Sequence, residues 1–253
     1  MGAGHVHPLH RPGDSPVHRL PPQVKIVAAL LAVLAVVATP REVPLAFAVH
    51  LLVLLAVWRV AGIPVRWFAT RAVIELPFVV LAVLLPFAGG TPRVHVLGTS
   101  LSVGGLYAAF NILAKGTLGV LVSLTLAATT PLRDLVLGLQ RLRAPAIVTT
   151  IATLMLRYLD VIAGEARRMR LARVARGHDP RFVFQAGATA RGMGSLFIRS
   201  YERGERVHLA MLSRGWTGVL PEHGRAASPA QWLAALAPAA LMALVAAVAW
   251  WVR

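Results

Sequence analysis

The chain has 253 residues, 57% of them hydrophobic and 14% charged, with a net charge of +16 and no cysteine. Ordinary soluble domains carry roughly 25% charged residues. This balance, with a mean hydropathy of +0.67, describes an integral membrane protein, and the missing thiols exclude disulfides and thiolate metal sites.

Residues 1–22 are polar and rich in His, Pro and Gly, and read as a cytoplasmic tail. They lack the charged-then-apolar pattern of a secretory signal, and Val6 breaks the myristoylation pattern. His5, His7, His10 and His18 are of a type that suits Co(II) or Ni(II). No cysteine or carboxylate cluster completes a site around them, so the tail reads as solvated and no metal site is assigned.

Residues 23–130 carry four predicted spans. Val24–Ala38 and Leu45–Trp58 are short for the roughly 20 residues a span needs, and flanking residues must help them. Ala72–Ala88 follows a stretch holding Arg59, Arg66 and Arg71. It carries Glu75, spaced to pair with Arg71 four residues earlier. The segment GGTPRVHVLGTS reads as a turn-rich connection. Leu101–Thr130 is a long apolar stretch, one helix or two, interrupted by Asn111 and Lys115 on a shared face. Ionisable residues inside spans are functional candidates by default, although for Glu75 and Lys115 a structural role is the favoured reading. A fifth span, in residues 230–253, runs from Trp232 to Trp251 without a charge and with Trp at both ends, the interfacial anchor pattern.

Residues 131–229, between spans 4 and 5, form a separate block. From Pro131 to Arg225 it holds 16 Arg against 7 acids. With the N-terminus inside, this block and most other cations fall on the cytoplasmic side, as the positive-inside rule expects. No aromatic-basic groove or groove-reading helix accompanies the charge, so nucleic acid is not a predicted partner. The pattern predicts a short helix from Pro131 to about Leu142, then a long one from Pro145 to Arg176. Its stripe is Ile147, Ile151, Leu154, Tyr158, Ile162, Ala166 and Met169. A second long helix is predicted from about Met193 to Arg214, with Phe197, Tyr201, Gly204, His208 and Met211 on one stripe and Glu202 and Arg206 spaced as an i,i+4 pair. Both long helices are too charged to read as spans. Each finishes in Arg-Gly, at Arg176-Gly177 and Arg214-Gly215, 38 positions apart. An Arg in a last helical turn is favourable toward the macrodipole and is explicable as capping alone. A guanidinium at a helix tip also suits an acidic or carbonyl-lined pocket on a partner.

Four stretches, IELPFVVLAVLLPF (74–87), ATTPLRDLVLGLQRLRAP (128–145), RYLDVIAGEARRMRLARVARG (157–177) and SLFIRSYERGERVHLAMLSRG (195–215), together with GDSPVHRLPPQVK (13–25), fall in one order. In that combination the chain resembles the transmembrane coupling subunit of energy-coupling-factor (ECF) transporters, most nearly its cobalt-type CbiQ branch. The resemblance implies an all-α multi-pass protein of the bacterial cytoplasmic membrane with about five spans and helices along the inner face. It implies two Ala-Arg-Gly-type motifs that dock on a pair of ATP-binding-cassette ATPases (CbiO-like), and contact with a substrate-binding membrane subunit (CbiM-like). The first motif matches fully at Ala175, Arg176 and Gly177; the second departs at its first residue, reading Ser213, Arg214 and Gly215. ATP would be bound by the partners, the chain itself holding no cofactor. Cobalt uptake for cobalamin biosynthesis is the implied function, with nickel, a vitamin, or a passive scaffold as alternatives.

The motif record agrees with a non-catalytic subunit. The sequence contains no G-x-x-x-x-G-K-[ST], H-E-x-x-H or G-x-S-x-G, so neither ATP hydrolysis nor the common hydrolase chemistries are available. The spans show no inverted repeat of the kind that self-sufficient carriers use.

Overall fold

The computed structural model describes residues 9–64, 66–67, 70–88, 93–96, 99–177, 187–219 and 226–252. In chain order the helices are α1 (Pro16–Arg19), α2 (Pro22–Ala38), α3 (Pro44–Ala61), α4 (Leu76–Ala88, entered through a 3-10 turn at Ala72–Glu75), α5 (Val103–Thr129), α6 (Leu132–Arg141), α7 (Ala146–Ala175), α8 (Gly187–Leu212) and α9 (Pro229–Trp251). Two short strands, β1 (Arg93–Val96) and β2 (Thr99–Ser102), pair antiparallel with Arg93 opposite Ser102 and Val96 opposite Thr99. The segment expected to be a plain turn-rich connection therefore contains a small hairpin. Leu101–Thr130 resolves into one helix, α5, with Asn111 and Lys115 inside it.

The helix boundaries follow from local chemistry. Pro occupies the first turn of α2, α3 and α9, where its missing N–H costs nothing. Ser102 caps α5 by accepting from Gly105 N (3.3 Å). Ser228 and Gln231 form a reciprocal capping box at α9. At the far end of α3, Gly62 takes φ +69°, and Gly62 N and Ile63 N return to the Arg59 and Trp58 carbonyls. Arg143 ends α6 the same way at φ +62°, with Arg143 N on Gln140 O and Ala144 N on Leu139 O. A side chain in that left-handed region costs roughly 1 kcal/mol or more, and α7 starts at Ala146, directly behind Pro145.

The described residues form two compact units, one within 7–138 and 224–253 and the other within 139–223. In the first, α2, α3, α5 and α9 share a core of Ala32, Ala35, Val36, Leu54, Trp58, Leu121, Ala128, Ala239 and Met242. Alanines at the α2–α9 contact let the two backbones approach closely, as small residues do between helices in lipid. Trp250 Nε1, at the end of α9, donates to Ala38 O at the end of α2 (2.7 Å), so these two helices run parallel. Helix α5 runs antiparallel to α2: Lys25 Nζ reaches Thr129 O (2.9 Å), and Lys115 Nζ reaches Val37 O (2.8 Å). Lys115 is thus a cross-bundle cap on the C-terminal carbonyls of α2, where a cation is favoured.

Helices α3, α5, α7 and α9 are each long and apolar enough to cross a membrane, and α2 and α4 are shorter apolar helices. This is an all-helical, multi-pass membrane architecture carrying one small hairpin. Helix α7, read from sequence as too charged to span, satisfies the length and hydropathy criterion over part of its 30 residues.

Glu75 is engaged otherwise than expected. Its Oε2 accepts from Thr117 Oγ1 of α5 (3.0 Å), while the Arg71 guanidinium lies 3.9 Å over the Trp67 ring. The Trp67 ring offers a cation–π contact in place of the i,i+4 pair.

Gly105 of α5 sits directly against the backbone of α4. A Cβ there would lie 2.5 Å from Leu85 O and 2.8 Å from Pro86 Cα, both backbone atoms of α4, whereas one on Gly119 of the same helix would meet nothing within 4 Å. Gly105→Val is expected to destabilise the protein by about 1–3 kcal/mol through overpacking, and Gly119→Ala to leave it unchanged or slightly more stable. Thermal unfolding of the two variants in detergent checks the contrast.

Candidate coupling surface

The second unit is built on α7 and α8. Met169 of α7 lies by Gly192 of α8, Glu165 by Arg199 and Arg203, and Arg173 by Thr189. As residue number rises on one helix it falls on the other, so the two run antiparallel. Helix α8 begins at Gly187, six residues before the expected Met193, because Gly187–Ala190 adds a further turn beside Arg173.

Both Arg-Gly ends take the same backbone form. Gly177 has φ +78° and returns its N–H to Val174 O (2.9 Å); Gly215 has φ +77° and returns its N–H to Leu212 O (2.9 Å). At the second end Trp216 N also reaches Met211 O (3.0 Å), completing a Schellman turn. A Cβ on either glycine would meet nothing within 4 Å. These glycines are therefore required by the left-handed backbone, not by crowding within the chain. Ala175, Arg176, Gly177, Ser213, Arg214 and Gly215 are all exposed. Ser213, the departure from the Ala-Arg-Gly form, donates its hydroxyl to Leu209 O (2.9 Å), a carbonyl that its own backbone N–H already reaches (2.9 Å), so the hydroxyl adds a second donor within the last turn. Antiparallel pairing places the two tips at opposite ends of the helix pair, separated by about 40 Å for helices of this length.

Glu165 holds the pair together. Its Oε1 accepts from Arg199 Nη1 and its Oε2 from Arg203 Nη2, each at 3.2 Å. The Arg199 hydrogen bond, with further help from Arg203, holds the Glu165 carboxyl below its ordinary value of 4.5, against an opposing desolvation effect. Toward the Arg214 end, Ile151, Leu154 and Tyr158 face Met211 and Trp216 across an apolar groove of about 630 Å³. Trp216 stacks edge-on against His208 at 5.9 Å. The stripe expected on α7 lines this groove with Ile147, Ile151, Leu154, Tyr158 and Ile162. On α8, Gly204, His208 and Met211 do so, but Phe197 and Tyr201 stand 72% and 61% exposed. The predicted Glu202–Arg206 pair forms at 3.9 Å, in the open, where it contributes little.

Sequence reasoning passed over Glu165 and Trp216. Trp216 was findable, since a large apolar residue directly after a helix-ending Gly is the usual hydrophobic partner of a Schellman turn. Glu165 was not, because its partners lie 34 and 38 residues away on another helix. Of the candidate metal ligands, His5 and His7 lie outside the described residues. His18 is structural, with Nε2 donating to Arg11 O (3.1 Å) and the ring bonded to Ser15 Oγ (2.7 Å). Among the described residues no group of three or more His, Cys, Asp or Glu comes together.

The family model of the cobalt transport protein CbiQ matches residues 13–224, which include both Arg-Gly ends and the whole of α7 and α8. The chain belongs to the CbiQ family. It is 32% identical over 191 residues to the cobalt transport protein CbiQ of Rhodobacter capsulatus, covering 74% of this chain and 75% of that one. It is 28% identical over 232 residues, 82% of each chain, to the energy-coupling factor transporter transmembrane protein EcfT of Bacillus selenitireducens. With EcfT of Limosilactobacillus fermentum it shares 27% over 223 residues, 81% of each. As a CbiQ-family member it is the transmembrane component of an ECF transporter, a non-catalytic multi-pass membrane protein.

The Glu165 clasp gives the α7–α8 pair a defined pH response. A depressed carboxyl contributes stability that is fully present above its unfolded value, near 4.5, and is lost as pH falls through the depressed value. The protection factors of the α7 and α8 amides, which remove the intrinsic pH dependence of exchange, should fall below pH 4.5 in the wild type. In Glu165→Gln they should already be low and change little with pH, and raised salt should bring the wild type toward the variant.

Proposed function

We propose that this CbiQ-family chain is the coupling component of an ATP-driven importer. It transmits the conformational cycle of a pair of ABC-type ATPases to a substrate-binding membrane subunit. The observation that carries the reading is the pair of like-built tips, Arg176-Gly177 and Arg214-Gly215, exposed at opposite ends of one antiparallel helix pair. Two equivalent grips far apart suit two equivalent motors better than one. Ala175, Arg176 and Gly177 dock on one ATPase, and Ser213, Arg214 and Gly215 on the other. The guanidiniums enter acidic or carbonyl-lined pockets, for which a planar five-donor cation is well shaped.

The remaining assignments follow from this role. The substrate is cobalt, supported by the family description and the R. capsulatus relative. The ATPases are CbiO-like and the substrate subunit CbiM-like. Residues 131–229 lie on the cytoplasmic side of the bacterial cell membrane with the N-terminus. The five spans are α2, α3, α4, α5 and α9, an odd number, which agrees with α2 and α9 running parallel. Helix α7, although apolar in part, belongs to the coupling block because its second half carries Arg167, Arg168, Arg170 and Arg173. The EcfT relatives support a nickel or vitamin system as the second reading, since their names carry no cobalt.

The test is co-purification from native membranes in mild detergent. The wild-type chain is expected to bring down an ABC-type ATPase. Arg176→Glu/Arg214→Glu is expected to insert normally and lose it, since truncating one partner of a buried charged contact costs roughly 2–5 kcal/mol. Equal recovery by both forms would show that the two arginines are only helix ends. Radiolabelled cobalt uptake, competed with nickel, then decides the substrate.

A further inference from the structure

The membrane-spanning unit contains a second cavity, far in the sequence from the coupling helices and independent of how they act. It measures about 640 Å³ and lies among α2, α3, α5 and α9, with α1 across one end, a size in the range of small-ligand pockets. Its walls are apolar and mostly small: Ala28 and Ala32 of α2, Val57 of α3, and Ala235, Ala239 and Met242 of α9. One charged residue lines it, Lys25.

Lys25 is the unusual feature. It is 8% exposed, and its ammonium donates to two neutral oxygens, His18 O (3.0 Å) and Thr129 O (2.9 Å). Among the described residues it makes no ion pair; Asp134, at the start of α6, acts on it only from longer range. A buried charge ordinarily has a counter-ion. This one has two carbonyls, a third N–H to spare and an apolar cavity beside it. Exposed Arg11 and Arg19 flank the α1 segment that roofs the cavity, with exposed Asp14 between them, so the end marked by Lys25 keeps a net positive charge and the remainder is apolar.

We propose that this cavity binds an anionic phospholipid, with an acyl chain along the alanine-lined wall and the phosphate beside Lys25. The complementarity is that of an amphiphile: one apolar tail for the wall and one net negative charge for an ammonium held by neutral carbonyls without an ion pair. A zwitterionic lipid fills the wall equally well but carries its own cation to the charged end.

The experiment uses the full chain, purified and delipidated in detergent, then exposed to phosphatidylglycerol or phosphatidylcholine. Bound lipid is counted by native mass spectrometry and the unfolding temperature is recorded in parallel. Wild type is expected to retain phosphatidylglycerol over phosphatidylcholine by about fivefold, the factor that one cation near an anionic headgroup supplies. Lys25→Gln removes that preference. Because Lys25 also ties α1 to α5, a second variant leaves it intact: Ala237→Phe, at an exposed cavity-lining position, lowers retention of both lipids without lowering the unfolding temperature of the lipid-free protein. The proposal is overturned if wild type does not distinguish the two lipids, or if lipid retention is unchanged in Ala237→Phe. It is also overturned if inorganic phosphate alone raises the unfolding temperature as much as phosphatidylglycerol does, which would mark a free-anion site. Should Lys25→Gln not fold, the Ala237→Phe result decides alone.

Discussion

Every helix ends in carbonyl oxygens that its own ladder leaves unpartnered, and in an apolar surrounding water does not fill the gap. Much of this structure is organised by how those oxygens are satisfied. The last turn of α2 receives Thr39 Oγ1 on Ala35 O, Lys115 Nζ on Val37 O and Trp250 Nε1 on Ala38 O. Three donors from three places in the chain thus converge on one helix end. Lys25 performs the same service for α1 and α5 at once. The Lys115, Trp250 and Lys25 bonds each close a helix end and simultaneously fix the register of a neighbour, so capping and tertiary packing are here one interaction.

The same constraint separates the roles of the two cation types. The chain's two lysines, Lys25 and Lys115, both place a compact ammonium against the end carbonyls of a neighbouring helix, Lys25 in the buried core and Lys115 at the exposed end of α2. Arginine, far more abundant, gathers on α7 and α8, where its planar fork meets carboxylates or stands free. Glu165 shows the first use, bridging two arginines of α8; Arg176 and Arg214 show the second. A point charge suits a carbonyl cluster, and a fork suits a partner that is still to arrive.

Glycine caps give those two arginines their setting. A left-handed residue after the last turn reverses the chain sharply and leaves the preceding side chain at the extreme tip of the helix. At α7 and α8 the reversal is made by Gly177 and Gly215, at α3 by Gly62, and at α6 by Arg143 against its conformational preference. The device itself is therefore general in this fold. What distinguishes the two tips is their shared Arg-Gly chemistry and their placement at opposite ends of an antiparallel pair clasped by Glu165. Those properties support a coupling role, where a cap alone would not.

The apolar runs, their proline starts, the long amphipathic helices and the Arg-Gly stops were legible in the sequence, because each rests on residues within one or two turns of each other. Periodicity, capping and turn chemistry are local, and so Arg176-Gly177 and Arg214-Gly215 could be named before any fold was known, with Ala175 and Ser213 added by the family resemblance. Other features depended on the tertiary structure. A structural role is the favoured sequence reading of Lys115 and Glu75, but what that role is, a helix cap and a partner of Thr117, was set only when α5 lay against α2 and the start of α4. Glu165 acquired its arginines, Lys25 its two carbonyls and its cavity, and the two tips their opposite placement, all through helix pairings between distant segments. Sequence determined which groups sit at the helix ends. Only the packing decided what those ends touch, because a hydrogen bond or an ion pair needs its partner within about 3 Å, and spacing along one helix says nothing about which other helix will bring it there.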